Sequence, residues 1–187
     1  MEPYKFGHLN ASGVEAPFQY ANCWAVEKTS GPPRLVIAPA AAQIRIISKL
    51  TAAMESPFGL LFVLLVPRGG GEAGRYQSPE PINSHQLEEF LWEFQDLLEK
   101  DARHHFWIMS IDNSSLLVYD NHNVIYAYGP LEAFERILTS DGFAKCDDVQ
   151  FPVPHMHRYN AEFDEQQRQL LKHWDWIKFP LQDSDDR

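Results

Sequence analysis

The residues with most chemical potential are His155 and His157, set in the extended, proline-rich run DDVQFPVPHMHRYN that begins at Asp147. Side chains two apart in an extended chain point the same way, so both imidazoles can converge on one divalent metal ion. A catalytic zinc takes three protein ligands and keeps a fourth position open. The third ligand must then be distant in sequence. Asp147, Asp148, His104, His105 and His173 qualify by type, and no spacing selects among them. So short a motif is more commonly a pair of surface or capping histidines that lock a loop.

A second set of candidates lies in RGGGEAGRY, from Arg68 to Tyr76. Gly69 and Gly74 have the offset of a phosphate-binding loop, and a strand-like run precedes them. The match then fails. Arg75 stands where the lysine belongs and Tyr76 where the magnesium-binding hydroxyl belongs. Pro79 and Pro81 prevent the helix whose amino terminus would aim N–H groups at a phosphate. The segment reads as a mobile connector, with Arg68 and Arg75 as candidate anion contacts. Nucleophilic catalysis has less support. No Gly-x-Ser-x-Gly elbow is present. Cys23 lies in an apolar run and Cys146 beside two aspartates, surroundings that disfavour a thiolate.

Composition narrows the classes. A chain of 187 residues, 44% hydrophobic and 13% aromatic, suits one folded domain. Its net charge of −10 argues against nonspecific nucleic-acid binding, which needs Lys and Arg to replace phosphate counterions. Two cysteines make neither a disulfide framework nor a thiolate zinc site, which fits a reducing compartment. The longest apolar run, Phe58 to Val66, is far short of the roughly 20 residues of a bilayer span. MEPYKFGHLN has no signal-peptide character. The expectation is a cytoplasmic protein without a membrane partner.

The elements that must position these residues follow from periodicity. Residues 1–17 show none and read as a flexible N-terminal arm, ahead of a single globular domain over 18–180 and an acidic tail over 181–187. Strands are expected near 18–28, 34–38 and 58–66, the last apolar throughout as a strand covered on both sides is. Helical spacing marks 40–54, 84–99, 130–141 and 161–177, about four helices. The clearest stretch, residues 104–129, reads as an antiparallel three-stranded meander with turns at Asp112–Ser115 and Asp120–Asn123. With both turns even in length, Trp107, Met109, Ile111, Leu116, Val118, Ile125 and Ala127 share one face. Phe106, Ile108, Ser110, Leu117, Tyr119, Val124, Tyr126 and Tyr128 share the other. Both faces are apolar, so the sheet is expected to be covered on both. The fold class is α+β, or mixed α/β, with a mixed sheet.

Three functional readings result. The first is a noncatalytic, acidic, intracellular protein-interaction domain, immunity- or adaptor-like in size and charge though no motif carries a likeness. Its partner would be another protein, met through the glycine-rich loop or through Tyr119, Tyr126 and Tyr128, which suit a face that is apolar at one end and wet at the other. The second is a metal-dependent hydrolase or other metal-binding enzyme centred on His155 and His157, with a divalent metal as cofactor. The third is a small-ligand-binding domain with its pocket under the tyrosine face.

Overall fold

In a computed structural model that describes residues 2–185, the chain opens with four strands. These are β1 (Phe6–Leu9), β2 (Glu15–Pro17), β3 (Cys23–Glu27) and β4 (Arg34–Ala38). Helix α1 (Gln43–Thr51) precedes the apolar strand β5 (Phe58–Leu64). The glycine-rich segment is not all loop, because Gly74–Gln77 forms β6. Helices α2 (Ser84–Glu93) and α3 (Gln95–Lys100) lead into β7 (His104–Ser110), β8 (Leu116–Tyr119) and β9 (Ile125–Tyr128). Then come α4 (Leu131–Ser140), β10 (Ala144–Lys145) and β11 (His155–His157). A 3-10 turn at Ala161–Phe163 opens α5 (Asp164–His173), and β12 (Ile177–Phe179) follows.

Nine strands form one sheet in the order β10-β3-β4-β9-β8-β7-β5-β6-β12, and β11-β1-β2 form a second, smaller one. The large sheet is antiparallel apart from the β10–β3 pair, so it is mixed, and the class is α+β. The five helices of the described residues all pack on one face. Ile47, Phe90, Leu98, Phe134 and Leu170 meet Leu60, Phe62, Phe106, Ile108 and Leu117 there in one core. Each large side chain buried this way contributes about 1.5–3 kcal/mol. Among the described residues no helix is long and apolar enough to cross a membrane.

The opposite face departs from expectation. The small sheet covers only part of it, where Phe6, Tyr20, Ala25, Val36 and Val124 form a second cluster. Beyond that cover the face is open, with Met109 47% and Ile111 44% exposed. The expectation of cover on both faces is therefore corrected. With every helix on one side, three short strands remain, too few to span nine. The strand register is corrected as well. Tyr119 pairs with Ile125, so the second turn has an odd number of residues, Asp120 to Val124. Asn123, at φ 64°, absorbs the extra residue in the left-handed region that Asn tolerates. Ile125 and Ala127 consequently join Phe106 on the helix-covered face, while Tyr126 and Tyr128 turn outward beside Trp107 and Met109.

Other boundaries shift for local reasons. The expected arm over 1–17 instead supplies two strands, Phe6–Leu9 and Glu15–Pro17, and Lys5 and Phe6 are buried. The helix expected over 84–99 has a capping box at Asn83 and Gln86 but breaks at Phe94. That expected over 161–177 stops at His173, because Trp174 turns to extended backbone and stacks on Phe90 at 4.9 Å. In the acidic tail Asp185 is buried, and residues 186 and 187 lie outside the described residues.

One polar cluster sits inside this framework. Arg103 is fully buried, and its Nε and Nη2 donate to the two oxygens of Asp101 at 2.6 and 2.8 Å. Nη1 donates to Asp164 and Gln167, and Nη2 also reaches the Asn160 carbonyl. Removing one partner of a buried ion pair leaves the other charge uncompensated. Asp101→Ala should therefore cost about 3–5 kcal/mol in urea unfolding. Lys178→Ala, which removes an ion pair with the exposed Glu72, should cost far less, because solvent screens that pair. Equal losses would show that the clamp carries no special weight.

Candidate metal centre

β11 pairs with β1, placing His157 opposite Phe6 and His155 opposite His8. The alternation of a strand sends both imidazoles to one side, as their spacing implied. The third imidazole is His122, from the turn between β8 and β9. One ligand nitrogen from each of His122, His155 and His157 falls within 4.8 Å of the others. Their ring centroids are 4.6 Å apart for His122–His157, 5.2 Å for His122–His155 and 5.5 Å for His155–His157. Phe6 packs against all three rings at 5.3–5.8 Å and fixes the floor of the cluster.

The turn that carries His122 is built by Asp120. Its Oδ1 accepts from the backbone N–H of His122 and of Val124, both at 2.9 Å, which closes the loop. Its Oδ2 lies 3.0 Å from His122 Nδ1 and holds that ring in place. The Tyr119 hydroxyl donates to Asn123 Oδ1, and the Tyr20 hydroxyl donates to the His122 carbonyl. Burial pushes the Asp120 carboxyl up, but its bonds with His122 and Val124 outweigh that and hold it below the usual range.

Each ring has its Nδ1 engaged. His155 Nδ1 is 3.0 Å from the Pro152 carbonyl, an acceptor that requires a proton on Nδ1. His157 Nδ1 is 3.4 Å from the Asn121 side-chain amide. A flip of that amide exchanges its N and O and offers the same kind of acceptor. With Nδ1–H held in this way, Nε2 presents its lone pair, the arrangement found when histidines bind metals. His157 Nε2 is buried and has no hydrogen-bond partner. Burial, with His122 and His155 beside it, lowers the His157 pKa to about 4, so the ring is neutral and able to ligate.

The cluster opens onto a cavity of about 310 Å³ lined by Leu65, Val66, His105, Asn121, His122, His157, Tyr159 and Asp185. Zn–N bonds of about 2.0–2.1 Å in tetrahedral geometry set nitrogens roughly 3.3 Å apart, so small ring rotations suffice here. Three imidazole ligands suit zinc, copper, iron or nickel.

None of the five residues offered by the sequence as third ligand joins the cluster. His104 is buried against Phe62 in the core, and His105 lines the cavity beyond it. His173 packs on Phe90 and Phe94, while Asp147 and Asp148 border a separate hollow with Tyr126. His122 was masked by its setting in a run of turn formers. The available signal was an aspartate two residues before a histidine.

The remaining candidates are scattered. Tyr119 is buried on the helix side, whereas Tyr126 and Tyr128 lie on the open side. Arg34 covers the Tyr126 ring at 4.2 Å and donates to the Tyr128 hydroxyl at 2.7 Å. Arg68 lies 3.5 Å from Asp164. Arg75 sits over Trp107 near Asp185. Cys23 and Cys146 come together beside the second apolar cluster; burial, then the neighbouring thiol, raises Cys23 to about 11, so it is held protonated. Comparison with protein-family models, curated proteins and solved structures finds no match, so the site's own geometry carries the functional argument.

Behind His122 lies an unusual cation. Lys5 is fully buried, donates to the Leu98 carbonyl at 3.1 Å and stands 3.8 Å from the Tyr119 ring centroid. Burial lowers its pKa to about 7, despite Asp120, Asp101 and Glu99 nearby. The unfolded lysine binds its proton up to about pH 10.4. Between about pH 7 and 10 the unfolded state thus binds more protons, and stability rises with pH. Lys5→Met should lack this rise, so its stability advantage over wild type, measured by urea unfolding, should shrink from pH 7 to pH 10. A constant difference would place the Lys5 pKa near its ordinary value.

Proposed function

We propose that this chain binds one divalent transition metal, of the zinc type, through His122, His155 and His157, and that it acts as a metal-dependent hydrolase. The observation that carries the reading is the meeting of three imidazoles from two distant segments, each with its Nδ1 engaged and Nε2 left for the metal. Three protein ligands beside a cavity match a catalytic centre, which keeps a position open, better than a closed structural one. A zinc ion held there would lower the pKa of a bound water to near neutrality and so could supply a nucleophile near neutral pH. The chain's own contribution is to orient the ligands. Asp120 aligns His122, Phe6 seats the three rings, and the cavity admits the substrate.

The first reading from the sequence, recognition of a protein through the tyrosines, has less support. Its residues are split between two faces, and the outward pair is engaged with Arg34.

Zinc titration of metal-free protein, followed by elemental analysis, tests the proposal. Wild type should take up about one zinc per chain, and metal at 100 times its dissociation constant should add about 2.7 kcal/mol of stability. His122→Ala, His155→Ala and His157→Ala should each abolish tight uptake, while His173→Ala keeps it. Asp120→Asn should weaken affinity by about 10- to 100-fold. Hydrolysis of an activated ester or phosphodiester should depend on the metal and vanish with chelator. Failure of the folded wild type to bind zinc, cobalt or iron would end the reading.

A further inference from the structure

Three buried side-chain nitrogens without hydrogen-bond partners gather on one face of the large sheet: His105 Nε2, Trp107 Nε1 and Arg75 Nε. Register explains the gathering. His105 and Arg75 both lie directly opposite Val63, on β7 and β6, and Trp107 follows His105 by two residues. All three therefore share the sheet face opposite the helices. Buried polar groups in folded proteins are nearly always satisfied, so a cluster of unsatisfied ones on one face calls for an acceptor from outside the framework.

The chain supplies a partial one itself. After β12, whose Phe179 pairs with Arg75, the backbone turns back, and the Asp185 N–H donates to the Gln182 carbonyl at 2.9 Å. Asp185 is thereby 3% exposed and lines the cavity beside His122 and His157. Its carboxylate lies 3.7 Å from Arg75 Nε, within ion-pair range but beyond a hydrogen bond. That same oxygen already accepts from the Gln182 N–H at 2.8 Å. The strand that delivers the tail is exposed along its whole length. Asp185 thus meets a guanidinium without filling its donor, from a weakly buried segment.

We propose that a small carboxylate-bearing ligand enters the cavity, displaces Asp185 from its wall and pairs its anionic group with Arg75, so that Asp185 is an internal stand-in for that group. The cavity volume suits a small molecule, and the guanidinium is the side chain best shaped for a carboxylate. The proposal names a substrate class for the metal site and rests on the metal reading only for the ligand's second anchor. The Arg75 slot exists with or without zinc.

Succinate is the probe, titrated by calorimetry into full-length protein, both metal-free and zinc-loaded. An occupied slot lowers apparent affinity by the fraction of molecules in which it is free. Asp185→Asn should therefore bind succinate about tenfold more tightly than wild type. Adding Arg75→Met to Asp185→Asn should remove that gain. Neutral succinamide should show no such preference. If the double variant fails to fold, judged by its thermal transition, Arg75→Lys takes its place and should lose most of the gain. Equal succinate affinity in wild type and Asp185→Asn, or equal binding of succinamide, overturns the proposal even if zinc binds. Succinate binding by metal-free Asp185→Asn that depends on Arg75 sustains it even if zinc does not bind.

Discussion

The buried guanidinium of Arg103 is the constraint on which the rest of the molecule turns. A charge taken wholly out of water must be matched by acceptors held in fixed positions. Here the acceptors come from the end of α3, from the loop after β11 and from the start of α5. Asp101 does double duty, since its Oδ2 also accepts from the Asn160 N–H at 2.7 Å. The Ala102 N–H donates to the Arg158 carbonyl, and the Arg158 N–H donates to the Lys5 carbonyl. The chain immediately after His157 is thus locked to β1 and to the entrance of β7. From the other side of the clamp, Gln167 and Arg168 hold the Gly70 and Gly69 carbonyls and tether the glycine-rich segment. A two-residue ion pair so anchors both the histidine strand and the loop leading to Arg75.

A second, more local chain of charge runs beneath the histidines. Lys5 is near Asp120, and Asp120 orients His122. Asp120 is itself buried, and its carboxylate needs opposition there. The bonds from His122 and Val124 supply that opposition now, and a bound cation would add to it. This joint arrangement explains why an ionised carboxylate persists in a turn that is largely shielded from water, and why the turn is shaped around it.

The placement of the helices decides where chemistry can occur. Because all of them lie on one face, the other face carries the small sheet, the histidines, Arg75 and an open apolar stretch around Met109. The site forms at the junction where the small sheet ends and the open face begins. Polar groups there have both a rigid floor and access to solvent, a combination that neither the dry core nor the bare strands provide.

Much of the fold was legible in the residues themselves. Asn83 and Gln86, the stripe from Leu87 to Leu98 and the apolar run at Phe58 act through neighbours close in sequence, so helix and strand follow from spacing. The alternation that puts His155 and His157 on one side is equally local. The partner His122 was not legible, because a side chain 33 positions away obeys no spacing rule. Nor was the one-residue excess in the Asp120–Val124 turn, which reverses every side chain of β9 and depends on a single left-handed Asn. The burial of Lys5 and Phe6 and of Asp185 was hidden for the same reason: their partners, β11 and Arg75, are remote. What the amino-acid order settled alone is what short-range backbone geometry controls. The meeting of three histidines, and the exposure of one sheet face, were decided only when distant segments packed against a common core.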